Sequence, residues 1–176
     1  MRVVPTGREG EFEGVYRDCL HEVRKYAAAH VGRDDVDDVV NATFMSVWQR
    51  FDDAPPLSRR AWVLGVARNH CRNRWRTDRR FSGLVDEIAF ARPRLETKLS
   101  DERVGFEVLD NFQRAIEALS ADDWELLVLS GWLELSPSEI AEVLGIQAGT
   151  VRVRLHRLRN LLTTKLGRLN VEDGVA

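Results

Sequence analysis

The segment "LSPSEIAEVLGIQAGTVRVRLHRLRNLL", residues 135–162, leaves the chain little choice of local fold. Ser136 is placed to cap a helix by accepting a hydrogen bond from a backbone N–H. Pro137 suits the first helical position, where its missing N–H has no partner to lose, and Glu139 completes a capping box. Ile140, Ala141 and Leu144 supply a buried face, and Gly145 ends the helix. Val151, Leu155, Leu158 and Leu162 then recur at helical spacing. A helix, a short turn containing glycine and a second helix predict a helix-turn-helix.

The second of these helices has a divided surface. Gly149, Val153, His156, Arg157 and Asn160 stand opposite the apolar stripe. Arg152 and Arg159 lie on one shoulder, Thr150 and Arg154 on the other, and every charged residue from Ala148 to Arg168 is basic. A helix entering a major groove needs this division, with its far pole at base edges and its shoulders beside the phosphates. Arginine can grip guanine with two hydrogen bonds, valine can touch a thymine methyl, and Gly149 would let the backbone approach closely. The competing reading is an ordinary solvated, arginine-rich helix. The capped helix before it, Gly145 and the absence of acids weigh against that.

Upstream, apolar residues fall at helical periods and no run alternates as strands do, which predicts an all-α protein. Phe12, Val15, Tyr16, Cys19, Leu20, Val23 and Ala27 mark a first helix, with Gly32 expected as its C-terminal break. Val36, Val40, Phe44, Val47 and Phe51 mark a second, ended by Pro55 and Pro56. A third runs from about Arg60 to Arg80, with Leu64, Ala67, Cys71 and Trp75 on one side and a separate stripe of Arg68, Arg72, Arg76 and Arg79 beside Asn69. Periodicity weakens from Phe81 to Glu107, which reads as a linker, and helices resume near Val108. Ser120 with Asp123 is expected to cap a helix carrying Trp124, Leu127, Val128 and Trp132. The expectation is two small helical domains, residues 1–80 and 108–176, joined by a flexible linker at 81–107.

Charge and chemistry narrow the function. The formal net charge is −2, but the distribution is uneven: Arg59 to Arg80 holds eight arginines against Asp78 alone, while acids gather in "GRDDVDDVV". Two basic patches and one acidic patch suggest more than one partner. The two cysteines, Cys19 and Cys71, lack metal-like spacing and sit on apolar faces, where free cysteine acts as a small hydrophobe. No metal site and no cofactor is expected. No Ser-His-Asp set, paired carboxylates or phosphate loop stands out, so no enzyme is predicted. The sequence has no apolar run of spanning length and no apolar signal core at its start, so a cytoplasmic protein without membrane insertion is expected.

Three blocks in order carry a family resemblance. "DDVDDVVNATFMSVWQRF", "RAWVLGVARNHCRNRWR" and "LSPSEIAEVLGIQAGTVRVRLHRLRNLL" resemble signature blocks of the extracytoplasmic-function (ECF) sigma factors of bacterial RNA polymerase, over roughly residues 12–168. The resemblance implies a sigma region 2 that docks on the β′ clamp helices of core RNA polymerase. The implied contacts are Asp35, Asp38, Val39, Asn41, Phe44 and Trp48, within an acidic surface that includes Asp34 and Asp37. It implies that the loop "DDAPPLSRR" and Asn69, Arg72 and Arg76 handle the −10 element, where a base leaves the stack and a single strand is guided by basic residues. A region 4 would bind the −35 element of promoter DNA and touch the β flap, and an anti-sigma factor would hold the chain inactive.

The chain departs from the family pattern at several points. Asn41 and Ala42 replace a Gln-Glu pair, Asn73 stands where Asp is common, Gln147 replaces a capping Ser, and Val153 replaces a frequent Ser at the reading pole. Two competitors remain at this stage. A stand-alone helix-turn-helix regulator of duplex DNA leaves the patterning of residues 34–80 unexplained. A sigma-like antagonist acting only through protein contacts has no need of the arginine-rich pole.

Overall fold

The computed structural model describes residues 7–55, 58–82 and 113–172. Helix α1 spans Arg8–Ala28, α2 Val36–Gln49 and α3 Arg59–Ser82, and the three pack into a bundle around Val23, Val47, Val63, Leu64 and Ala67. Short 3₁₀ turns at Arg33–Asp35 and Phe51–Asp53 flank α2. The first helix does not run to Gly32. It ends at Ala28, the N–H groups of Ala29 and His30 close the last turn, and Gly32 is extended at φ −60°, ψ 155°. His30 seals that end: its Nδ1 meets the Tyr26 carbonyl at 2.7 Å and its ring stacks on the tyrosine at 4.1 Å.

In the C-terminal half, residues 113–117 are helical, followed by α4 at Ala121–Leu127, α5 at Pro137–Leu144 and α6 at Ala148–Glu172. Both predicted caps are present. Ser120 Oγ accepts from the Asp123 N–H at 3.1 Å, and Ser136 with Glu139 forms the complete capping box behind Pro137. Gly145 adopts the left-handed conformation at φ 68° that a helix-ending residue needs. The expected helix through Trp132 is corrected in one respect: after Leu127 the chain widens into a π-helix, Val128–Trp132. The Leu133 N–H reaches back five residues to the Val128 carbonyl at 3.0 Å. The extra residue per turn buries Val128, Leu129 and Leu133 and carries Trp132 towards the surface.

The two halves do not stay apart. One continuous apolar core runs from Val15 of α1 to Leu158 of α6. Trp124 lies in the seam, buried, with its Nε1–H donated to the Ala29 carbonyl at 2.9 Å. Around this contact the seam is polar. Arg68 donates to both carboxylate oxygens of Glu125 at 2.8 and 3.2 Å, and Glu125 also accepts the Tyr26 hydroxyl at 2.7 Å.

This seam carries a pH dependence. Burial opposes ionisation of Glu125, but hydrogen bonds from Arg68 and Tyr26 outweigh it and hold the carboxyl below the usual glutamate range. Burial likewise lowers the pKa of His30. Both groups therefore bind protons more readily unfolded than folded, so stability falls as pH falls. The melting temperature is expected to be level from neutral pH to the ordinary cysteine value of 9.0, above which unfolded Cys19 and Cys71 ionise before the buried thiols do and it falls. It should decline below the ordinary histidine value of 6.5, and again below the ordinary glutamate value of 4.5. A pH series of thermal melts checks this, and His30→Phe should reduce the first decline, leaving the part owed to His70, whose pKa burial also lowers.

Candidate nucleic-acid interface

Helix α6 is built as its sequence pattern requires. Val151, Leu155 and Leu158 are buried against α5 and α4, and Leu162 packs at the edge of the core. The pole residues Gly149, Val153, His156, Arg157 and Asn160 all face solvent, with Val153 53 % exposed. Thr150, Arg152, Arg154 and Arg159 are exposed as well. His156 Nε2 and Asn160 Nδ2 lie 3.2 Å apart, one turn from each other, so these two polar edges are presented as a pair. The Val151 N–H bonds to the Gln147 carbonyl at 3.2 Å, which starts the helix without the capping serine of the family pattern. Isolated exposed valine costs the fold little, but it gives the pole an apolar spot among hydrogen-bonding groups.

Gly149 separates structural from functional need. A Cβ built there meets nothing within 4 Å. Gly149→Ala should therefore hold or raise stability, by up to about 1 kcal/mol from helix propensity. If the backbone at this turn approaches DNA, the same substitution lowers affinity for duplex DNA. Paired melting and binding measurements check both halves.

On α3, Asn69, Arg72 and Arg76 are exposed, one helical turn apart along the arginine stripe. Arg68 belongs to the same row but is tied into the seam by Glu125. Of the loop "DDAPPLSRR", Pro56 and Leu57 lie outside the described residues, as do Arg79 in its side chain and the predicted linker apart from the end of α3 at Ser82.

The predicted polymerase-facing residues divide. Asp38 and Asn41 are exposed on α2. Asp35 is ion-paired with Arg74 at 2.5 Å. Trp48 is half-buried, with its ring edge against Phe12 at 5.0 Å and the Arg8 guanidinium over its face at 4.6 Å. Val39 and Phe44 are corrections: at 4 % and 5 % exposed they belong to the core, Phe44 packing on Tyr16 at 4.5 Å. The apolar residue that this face does offer is Met45, 64 % exposed, four positions after Asn41 and seven after Asp38. The signal was the helical phase: if Phe44 lies on the stripe, Met45 points away from it.

Among the described residues no His/Cys/Asp/Glu group is arranged to hold a metal ion, and no helix is long and apolar enough to cross a membrane. Burial pushes the Cys19 thiol up to about 11 and the Cys71 thiol up to about 12.

Comparison with known proteins places both halves of the chain in one family. Residues 15–81 match the family model described as Sigma-70 region 2, and residues 109–162 match that described as Sigma-70, region 4. The ECF RNA polymerase sigma factor SigC of Mycobacterium tuberculosis is 30 % identical over 168 residues, covering 89 % of this chain and 83 % of that protein. The RNA polymerase sigma factor CarQ of Myxococcus xanthus is 29 % identical, covering 94 % of this chain and 95 % of that protein. Among solved structures, the sigma factor RpoE of Bartonella quintana, in complex with the anti-sigma factor NepR, superposes with a TM-score of 0.67. Its identity is 26 %, with 89 % of this chain and 97 % of that chain covered.

Proposed function

The chain belongs to the sigma-70 family, in its ECF group, and we propose how its surfaces divide the work of such a factor. As an ECF sigma factor it is an alternative, non-catalytic subunit that directs transcription initiation by RNA polymerase. The observation that carries the surface assignment is α6, whose apolar back is buried while an acid-free pole and shoulders face solvent.

In this reading the units are residues 1–80 and 108–176, joined at 81–107, which the matched ranges support. Gly149, Val153, His156, Arg157 and Asn160 read −35 bases in the major groove, and Thr150, Arg152, Arg154 and Arg159 hold the phosphates on either side. Asn69, Arg72 and Arg76 guide the −10 strand after melting. Asp38, Asn41 and Met45 form the outer face of α2 that meets the β′ clamp helices, with Asp35 and Trp48 at its margin. The flap contact falls to the apolar surface of the C-terminal unit. The complex of the similar RpoE with NepR supports an anti-sigma partner for this chain too. Work beside polymerase places the protein in the cytoplasm.

Binding to purified bacterial core polymerase tests the assignment. The wild-type chain should co-elute with core, and Met45→Glu should weaken that binding by about 1–2 kcal/mol, as expected for an apolar contact replaced by a charge. Its affinity for duplex DNA should not change. A chain that shifts duplex DNA but never binds core would instead be the stand-alone regulator.

A further inference from the structure

The seam between the two units draws its polar groups from the row on α3 that leads into the proposed −10 surface. Arg60, Leu64, Arg68, Arg72 and Arg76 follow one another at four-residue steps, one above the next along the helix. The upper arginines are occupied from inside the protein. Arg60 donates to both Glu22 oxygens, to the Leu133 carbonyl at 2.7 Å and to Glu139 at 3.2 Å. Arg68 grips Glu125 with two hydrogen bonds, the side chains being only 17 % and 12 % exposed. Below them Arg72 and Arg76 are exposed, and Arg72 and Trp75 line a cavity of about 170 Å³ that Asp122 and Glu125 close from the C-terminal side.

We propose that Arg68 is a switched DNA contact: Glu125 holds it while the two units are closed, and a phosphate of the promoter strand takes it when they part. The inference rests on assigning Arg72 and Arg76 to the −10 strand. A guanidinium fork binds carboxylate and phosphate in the same two-bond geometry, so Glu125 on α4 occupies the place a phosphate would need. A buried ion pair adds little net stability compared with apolar packing. Such a pair therefore suits a seam that must open, because each partner is soluble when separated. Closure neutralises the inner end of the basic track while leaving the pole of α6 exposed. Duplex recognition is thus available to the closed chain, and capture of the melted strand waits for opening.

The test uses the full chain assembled with core polymerase. Its probe is a fork-junction DNA cut from a promoter that this holoenzyme selects from sheared genomic DNA, single-stranded on the non-template strand across the −10 segment. Arg68→Ala and Arg72→Ala should each lower the slope of log affinity against log salt by about one, and Glu125→Gln should leave it unchanged. In the free chain, with Cys19 replaced by alanine, Cys71 beside Glu125 should react with a thiol reagent at least about tenfold faster in Glu125→Gln than in wild type. Circular dichroism must show helix content kept, and Arg68→Gln serves if the alanine variant does not fold. A normal salt slope for Arg68 variants beside a reduced one for Arg72→Ala overturns the switch and leaves the −10 assignment standing. Normal slopes for both overturn the assignment as well. Unchanged Cys71 reactivity shows that Glu125 does not hold the seam.

Discussion

Trp124→Ala is expected to lower folding stability by about 3–5 kcal/mol, the usual cost of truncating a fully buried large aromatic side chain. Two losses combine. The indole fills the seam where α4 meets the end of α1, and its removal leaves a cavity in a core shared by both units. It also leaves the Ala29 carbonyl without the Nε1–H that now reaches it at 2.9 Å. The edge contact with Trp132, at 5.5 Å between ring centroids, disappears as well. Trp124→Phe should restore most of the packing but not the hydrogen bond, costing about 1 kcal/mol beyond the size difference. Denaturant titrations of the two variants measure this. Wild type should unfold in one transition because its core is continuous, and Trp124→Ala should separate unfolding of the C-terminal unit from that of the α1–α3 bundle. A loss below about 1 kcal/mol would mean the closed seam is not a feature of the molecule in solution.

The second large effect is on promoter choice. Arg157 lies at the pole of α6 and Arg154 on its shoulder, both exposed on one rigid helix whose back is buried. Arg157→Ala should relax discrimination at one −35 base pair by about 1–3 kcal/mol, with the other positions read as before. Arg154→Ala should weaken binding to all promoters alike and make it less salt-dependent, because a phosphate contact carries no sequence information. Binding of the holoenzyme to a panel of single-base promoter variants at two salt concentrations separates the two. Equal effects from both arginines would contradict the pole-and-shoulder assignment. Val153, where the family often carries Ser, should favour a thymine methyl nearby, and the same panel reads that preference.

How far the sequence alone reached depended on the range of each interaction. The Ser136–Glu139 box, Pro137 and Gly145 act within a few residues, so the α5–turn–α6 unit was legible to the residue. The face of α6 was legible for the same reason, since helical phase decides what a buried stripe leaves outside. The π-helix at Val128–Trp132 was not, because a carbonyl reached from five residues on needs no special residue type. Val39 and Phe44 show the limit of carrying roles over by resemblance: Phe44 already lay on the apolar stripe, Val39 is buried beside it, and Met45 faces out instead. The seam was the largest omission. Tyr26 and Glu125, or Ala29 and Trp124, stand 99 and 95 residues apart, and no local pattern marks them as partners.

The most direct test of the account is transcription by core polymerase on fragmented genomic DNA, with and without the full chain, with transcript 5′ ends mapped. The account predicts a new set of start sites that appear only with the chain, share −35 and −10 elements, and shift in −35 preference with Arg157→Ala. No new start sites, from a chain that nevertheless retards duplex DNA on its own, would contradict it.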